Sequence, residues 1–298
     1  MNTPELPELD LHAVESAVAQ AIRQRSTDGL RVLGHGEISL VLAWPSAAPS
    51  MAVKRVPPFR TVEAARQYTT VCEQFFERLH AAQVAVWPTT LHVHERNDGR
   101  AVVYHRQPIA AAEQLGTNVL RATPPADDHP LIIAIADAAA AVCSPTVGFD
   151  CQAANWLWDG STATQLDFTS PFTLTASRTD LTYDPRAFLQ EYPVAVRPYL
   201  KREFTKLIQR YTTAEGALGD MVANLLKEGL EPWVDPTIST VNRRLGTQLQ
   251  RSSAEKMFDD DRGLMPVVLK LKKTHRWWLT TTGRRYEQLL PAKTTYGR

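Results

Sequence analysis

The sequence predicts an α+β chain, in which a mostly antiparallel, β-rich segment with one inserted helix precedes a larger helical segment. Three observations carry this expectation. Across residues 30–106, short β-branched and aromatic runs alternate with turn signals such as Gly34-x-Gly36 and Asn97-Asp98-Gly99. A single long helical pattern, 61–82, interrupts those runs. Beyond Gln107-Pro108 the apolar residues recur mainly at helical spacing. The expected division is a helical N-terminal extension at 1–29, a β-rich lobe at 30–106 and a helical lobe at 107–298, with a ligand cleft between the lobes.

Composition narrows the class. With 298 residues, 44% of them hydrophobic, the chain can bury a sizeable core. A formal charge of +1 gives no global field to recruit nucleic acid or a membrane. Cys72, Cys143 and Cys151 form no CxxC pair, which points to a reducing compartment. The first ten residues are acidic and Pro-containing, unlike a signal peptide. The longest apolar run, 131–142, is broken by Asp137 and is too short to span a bilayer. The expectation is a soluble cytoplasmic protein with no membrane partner.

Asp10 is placed to cap a helix whose stripe is Leu11, Val14, Val18 and Ile22. Residues 30–44 then form two β-rich runs around Gly34 and Gly36. Glycines there let backbone N–H groups approach a phosphate, although a plain hairpin turn uses the same residues. In the next run, 51–56, Lys54 shares a strand face with the apolar Ala52 and Val56, which suits a side chain pointing into a cleft, although a solvated strand face uses the same alternation. The helix 61–82 carries Val71, Phe75, Phe76 and Leu79 as its apolar side, with Glu73 and Glu77 one turn apart. Strands follow at 91–95 and 101–105. His92 and His94 share a face, but no third metal ligand accompanies them.

The Ala-rich helix 130–142 leads into the stretch that organises the rest, residues 149–169, FDCQAANWLWDGSTATQLDFT. Short apolar runs flank Asp159-Gly160, a strong hairpin signal. A four-residue turn at 159–162 pairs Trp158 with Ala163 and sets Asn155 opposite Leu166. Asp167 then emerges beside Asn155 at the open end, with Asp150 on the loop that feeds it. Two oxygen donors and a nearby carboxylate base are the groups that phosphoryl transfer requires.

Past residue 169 the pattern is helical at 185–190, 194–211, 214–227 and 236–249. The last segment, 251–298, holds eleven Lys/Arg and five Asp/Glu, with Trp277-Trp278 among them. Such a segment binds single-stranded nucleic acid or forms a solvated face over a small apolar cluster. The second reading is adopted, with Val267, Val268, Leu269, Leu271 and the tryptophans as the cluster and nucleic acid not expected as a partner. Asp259-Asp260-Asp261 reads as a helix-end or loop acid run.

The order of these pieces resembles the protein-kinase-like fold, most nearly its small-molecule branch, the aminoglycoside and choline phosphotransferase type. The residues that carry the resemblance are 33–39, LGHGEIS, the run Met51-Ala52-Val53-Lys54, Asp150-x-x-x-x-Asn155, and Leu166-Asp167-Phe168-Thr169. The resemblance implies an ATP- and Mg²⁺-dependent transfer of the γ-phosphate to a hydroxyl of a small molecule. It implies that Gly34, Gly36 and Ser39 cover the phosphates. Lys54 would contact the α- and β-phosphates, held by Glu73 or by Glu77. Backbone near Gln107 would face the adenine, Asp150 would act as base, and Asn155 with Asp167 would hold Mg²⁺. Two departures stand out: Gly148 replaces the loop-buttressing histidine of the family, and Thr169 replaces the glycine after Asp-Phe. They keep open an alternative, a catalytically weak or inactive nucleotide-binding or scaffold protein.

Overall fold

The computed structural model describes residues 6–35, 39–284 and 286–288. Asp10 caps helix α1 (Leu11–Gln24) by accepting from the Ala13 N–H at 2.9 Å. Strands β1 (Arg31–His35), β2 (Leu40–Trp44) and β3 (Met51–Arg55) follow, then helix α2 (Val62–Ala81), capped by Thr61. Next come β4 (Ala85–Val86), β5 (Thr90–Glu95) and β6 (Ala101–Gln107). The main sheet is antiparallel in the order β1-β2-β3-β6-β5.

Strand alternation gives this sheet two buried faces. One face, with Leu42, Met51, Val53, Val102 and Tyr104, packs on Val14, Val18 and Ile22 of α1. On the other, Val56, Ala101 and Val103 meet Tyr68, Cys72, Phe75 and Leu79 of α2. Those four residues recur at helical spacing, so a single face of α2 is buried. The core on the α2 side continues without a break into the helical half of the chain.

That half begins with α3 (Gly116–Ala122) and the buried α4 (Pro130–Val142). A hairpin of β7 (Trp156–Trp158) and β8 (Ala163–Gln165) follows, and β8 pairs in parallel with β4. Then come α5 (Arg186–Leu189), α6 (Arg197–Tyr211), α7 (Ala214–Lys227) and α8 (Val234–Leu245). The final helix, α9 (Arg251–Thr281), packs on α7 and runs through Pro266 without ending.

Helix α9 corrects the expectation of a small apolar cluster near its end. Val267 is 54% exposed, Trp277 66% and Trp278 43%. The side chains turned inward are instead Lys272 and His275. The cause is non-local: Glu191, which precedes α6, meets the Lys272 ammonium at 2.6 Å, so a lysine occupies the buried side. The Asp259-Asp260-Asp261 run lies inside α9 rather than at a helix end or in a loop. No helix among the described residues is long and apolar enough to cross a membrane.

Candidate active site

The hairpin sets the geometry. Its register pairs Trp158 with Ala163, Leu157 with Thr164 and Trp156 with Gln165. One step further, the Leu166 N–H donates to the Asn155 carbonyl at 2.8 Å. The count made from the turn therefore stands, and the turn itself is closed by Asp159, whose Oδ1 accepts from the Ser161 and Thr162 N–H groups at 2.8 Å. Asp167 leaves the hairpin beside Asn155, whose side-chain amide has no hydrogen-bond partner among the described residues.

Lys54 reaches this end of the hairpin from the sheet. It lies on the face of β3 that carries Ala52 and Val56, and its Nζ meets Asp167 Oδ2 at 2.5 Å. The other oxygen, Oδ1, accepts from the Thr169 N–H at 2.9 Å and from the Thr169 hydroxyl at 2.7 Å. Burial works against the Asp167 charge, but Lys54 and Thr169 outweigh it and hold the carboxyl down at about 2. The Asp167 side chain is still 34% exposed, so the pair faces an opening.

The structure overturns one expected contact. Neither Glu73 nor Glu77 pairs with Lys54; both are exposed. The phase of α2 explains this: Tyr68, Cys72, Phe75 and Leu79 take the inward face, and residues 73 and 77 fall outside it. Tyr68 on the inward face makes a different link. Its hydroxyl donates to the Thr169 carbonyl at 2.8 Å and therefore accepts from His105 Nε2 at 3.0 Å. This chain links β6, α2 and the segment after Asp167. His105 is buried beside Lys54, and burial first, then the Lys54 charge, push its pKa down to about 3. The sequence signals were present but apolar in appearance: a tyrosine in the α2 stripe and a histidine in the run AVVYHRQ.

Gln107 ties the end of β6 to the hairpin, because its amide donates to the Leu166 carbonyl at 2.9 Å and to Thr89 Oγ1 at 2.8 Å. His105 and Arg106 are paired with both β3 and β5. Their main-chain groups belong to the sheet, so a free backbone edge for a base begins only at Gln107. Gly34 and Ser39 flank the β1–β2 turn, while Gly36 lies outside the described residues. Gly34 pairs with Val41, next to an irregularity in the register.

Asp150 sits on a loop braced from several sides. Its Oδ1 accepts from the Gln152 N–H at 3.1 Å. Gln152 in turn donates to Asp220 Oδ2 at 3.3 Å, and Asn224 donates to the same oxygen at 2.8 Å. Asp220 is thus a buried support of the loop, with a pKa raised by that burial. On the other side, a Cβ at Gly116 would fall 2.4 Å from the Ala153 carbonyl oxygen, so only glycine lets α3 approach.

Gly148, the departure noted from the sequence, has a steric cause. Its N–H donates to the Phe172 carbonyl at 2.6 Å, and the Phe149 N–H donates to the Tyr211 carbonyl at 3.1 Å. A Cβ at 148 would lie 3.0 Å from the Cβ atoms of both Phe172 and Tyr211. Those two rings stack with centroids 4.9 Å apart. Backbone hydrogen bonds to an aromatic wall brace the loop, and the wall crowds any side chain at 148.

Metal fit follows from the donor set. Asn155 and Asp167 offer hard oxygen donors, the kind Mg²⁺ takes together with phosphate oxygens. Among the described residues there is no group of three or more His, Cys, Asp or Glu able to hold an ion alone, and His92 with His94 forms none.

Comparison with known proteins adds little about activity. No curated protein matches the sequence. Among solved structures, WaaP in complex with acyl carrier protein aligns at 15% identity and a TM-score of 0.39, over 91% of this chain and 99% of that one. The MAP kinase LmaMPK10 from Leishmania major aligns at 14% identity and a TM-score of 0.31, over 95% of this chain and 76% of that one. At these values neither likeness carries an argument about fold or activity. A family model does match most of the sequence, residues 13–276, and by that match the chain belongs to a family of unknown function, DUF6206.

Proposed function

We propose that the protein is a phosphotransferase of protein-kinase-like, two-lobed architecture, which uses ATP and Mg²⁺ to phosphorylate a hydroxyl of a small molecule. In this reading residues 30–106 bind the nucleotide and residues 107–298 carry the catalytic hairpin and the acceptor. The observation that supports it best is the 2.5 Å contact from Lys54 to Asp167, at the hairpin end where the free Asn155 amide also emerges. A lysine on a sheet, a carboxylate and an amide on a facing hairpin, and an upstream carboxylate are the parts such chemistry needs.

The roles follow from the groups. Lys54 would exchange Asp167 for the phosphate oxygens of the nucleotide. Asn155 and Asp167 would hold Mg²⁺, which supplies neutralisation of the phosphate charge. Asp150 would orient the acceptor hydroxyl and take its proton as the hydroxyl oxygen bonds to the γ-phosphorus and the bond to the β–γ bridging oxygen breaks. Main chain at Gly34 and Ser39 would cover the phosphates, and the edge from Gln107 onward would meet the base. The test is transfer of labelled γ-phosphate to a panel of small alcohols by the wild type and by Asp150→Asn. A loss of ~10²–10⁴ in rate is expected for the variant. An undiminished rate would remove Asp150 from the mechanism, and no transfer by the wild type to any acceptor would argue against the enzyme reading.

A second reading, nucleotide binding without turnover, is favoured by two features. Both Asp167 oxygens are already engaged, and no glutamate among the described residues holds Lys54 in place. Thermal shift with ATP separates the readings: stabilisation that requires Mg²⁺ supports the enzyme, and stabilisation without it supports the non-catalytic binder.

A further inference from the structure

A polar cavity of about 230 Å³ lies between the start of α2, the segment around α5 and the end of α9, and none of the residues assigned above to phosphotransfer lines it. Its volume suits a small molecule rather than a nucleotide. Two observations mark it as a built site rather than a gap.

The first concerns charge. Arg60 and Arg197 both line the cavity, and neither has a carboxylate partner among the described residues. Arg197 spends its Nε and Nη2 on the carbonyls of Tyr192 and Gln190, at 2.9 and 3.1 Å, which fixes the guanidinium and leaves Nη1 uncommitted. Burial and the nearby Arg60 charge both disfavour the Arg197 charge, which an arriving anion would relieve. The carboxylates in the wall are already matched: Glu191 by Lys272 at 2.6 Å, and Glu287 by Arg96 and Arg100, each at 2.9 Å.

The second concerns orphaned polar atoms. His275 is 3% exposed and Tyr286 4% exposed, and both line the cavity. Among the described residues the His275 Nε2 and the Tyr286 hydroxyl have no hydrogen-bond partner, although buried polar atoms almost always find one. Burial lowers the His275 pKa, so the ring is neutral, and Nε2 can serve as an acceptor. The wall thus offers guanidinium and hydroxyl donors beside one imidazole acceptor.

We infer that this cavity binds a small oxyanion that carries its own O–H donor, of which hydrogen phosphate, free or as the head of a small monoester, is the simplest. The anionic oxygens would sit on Arg60, Arg197 and the Tyr286 hydroxyl, and the P–OH would donate to His275 Nε2. The inference is independent of the phosphotransfer reading, because it uses other residues and another ligand.

The test is thermal stability of the full chain titrated with sodium phosphate, sodium sulfate and sodium chloride at matched ionic strength and neutral pH. Phosphate should raise the melting temperature saturably. Sulfate, which has no proton to donate, should do so more weakly, and chloride should not. Arg60→Ala and Tyr286→Phe should each weaken the phosphate response about tenfold, as loss of one charge-assisted hydrogen bond does. His275→Phe should abolish the preference for phosphate over sulfate. Arg60 is exposed and has no partner to lose among the described residues, so its variant should fold, which the unliganded melting temperature checks. A non-saturable response, or a response equal in the wild type, Arg60→Ala and Tyr286→Phe, would overturn the site.

Discussion

Lys54 and Arg55 are neighbours on β3, and each pairs with a carboxylate, yet their surroundings are opposite. Successive side chains of a strand point to opposite faces, so Lys54 turns toward the hairpin and Arg55 toward α1. Arg55 is enclosed. Its Nε and Nη2 form a fork on Glu15 at 2.9 and 3.0 Å, and its Nη1 donates to the Glu287 carbonyl at 3.0 Å. Tyr104 adds its hydroxyl to Glu15 at 2.5 Å, and Arg96 and Arg100 complete the network around Glu287. Burial works against both charges, but the partners outweigh it, so Glu15 is shifted down and Arg55 up. Lys54, itself buried, has one carboxylate partner among the described residues, Asp167, whose side chain is 34% exposed. The lesson is that a charge meant to hold a fold is closed off and fully matched, whereas a charge available to a ligand has a single partner that can be exchanged.

The largest expected effect comes from breaking the closed side. Glu15→Ala leaves a buried guanidinium without its main partner and should cost ~3–5 kcal/mol in urea unfolding. Below the unfolding midpoint it should leave nucleotide response unchanged. A cost below ~1 kcal/mol would mean that the network is wetter than its burial indicates. Next is the wall that carries Asp150. Gly148→Ala places a Cβ 3.0 Å from Phe172 and Tyr211 and should cost ~1–3 kcal/mol by overpacking, also read by urea unfolding. A neutral result would show that the wall gives way.

The third prediction concerns pH. His105, near 3 in the fold against ~6.5 when unfolded, binds fewer protons in the native state between those values. Its contribution to stability is therefore complete above ~6.5 and is lost as pH falls toward 3. His105→Gln should flatten the fall in urea midpoint across that window. Asp167, also shifted down, acts lower: its contribution is present above ~4 and is lost as pH falls toward 2. The smallest effect on stability is expected at the open pair itself. Lys54→Met removes a buried ammonium but leaves Asp167 partly exposed with its Thr169 hydrogen bonds, so it should cost ~1–2 kcal/mol in urea unfolding while removing nucleotide binding.

The sequence made some of this legible and hid the rest for identifiable reasons. The hairpin could be counted from Asp159-Gly160 alone, because a tight turn fixes the register locally, and Asp10 could be placed as a cap by its own side chain. A stripe of Val71, Phe75, Phe76 and Leu79 alone leaves the phase of α2 loose; with the buried Tyr68 and Cys72 counted in, it turns Glu73 outward. Lys272 and His275 were unreadable as inward residues, since the carboxylate that draws in the lysine, Glu191, comes from another part of the chain. The fork from Arg55 to Glu15 spans 40 residues, and no local pattern in α1 announces it.

The most direct test of the open side is calorimetric titration of the wild type and of Asp167→Asn with a non-hydrolysable ATP analogue, with and without Mg²⁺. The account predicts binding by the wild type that strengthens with Mg²⁺, and loss of that Mg²⁺ dependence in Asp167→Asn. Binding that is equally strong in both proteins and indifferent to Mg²⁺, or no binding by the wild type, would contradict it.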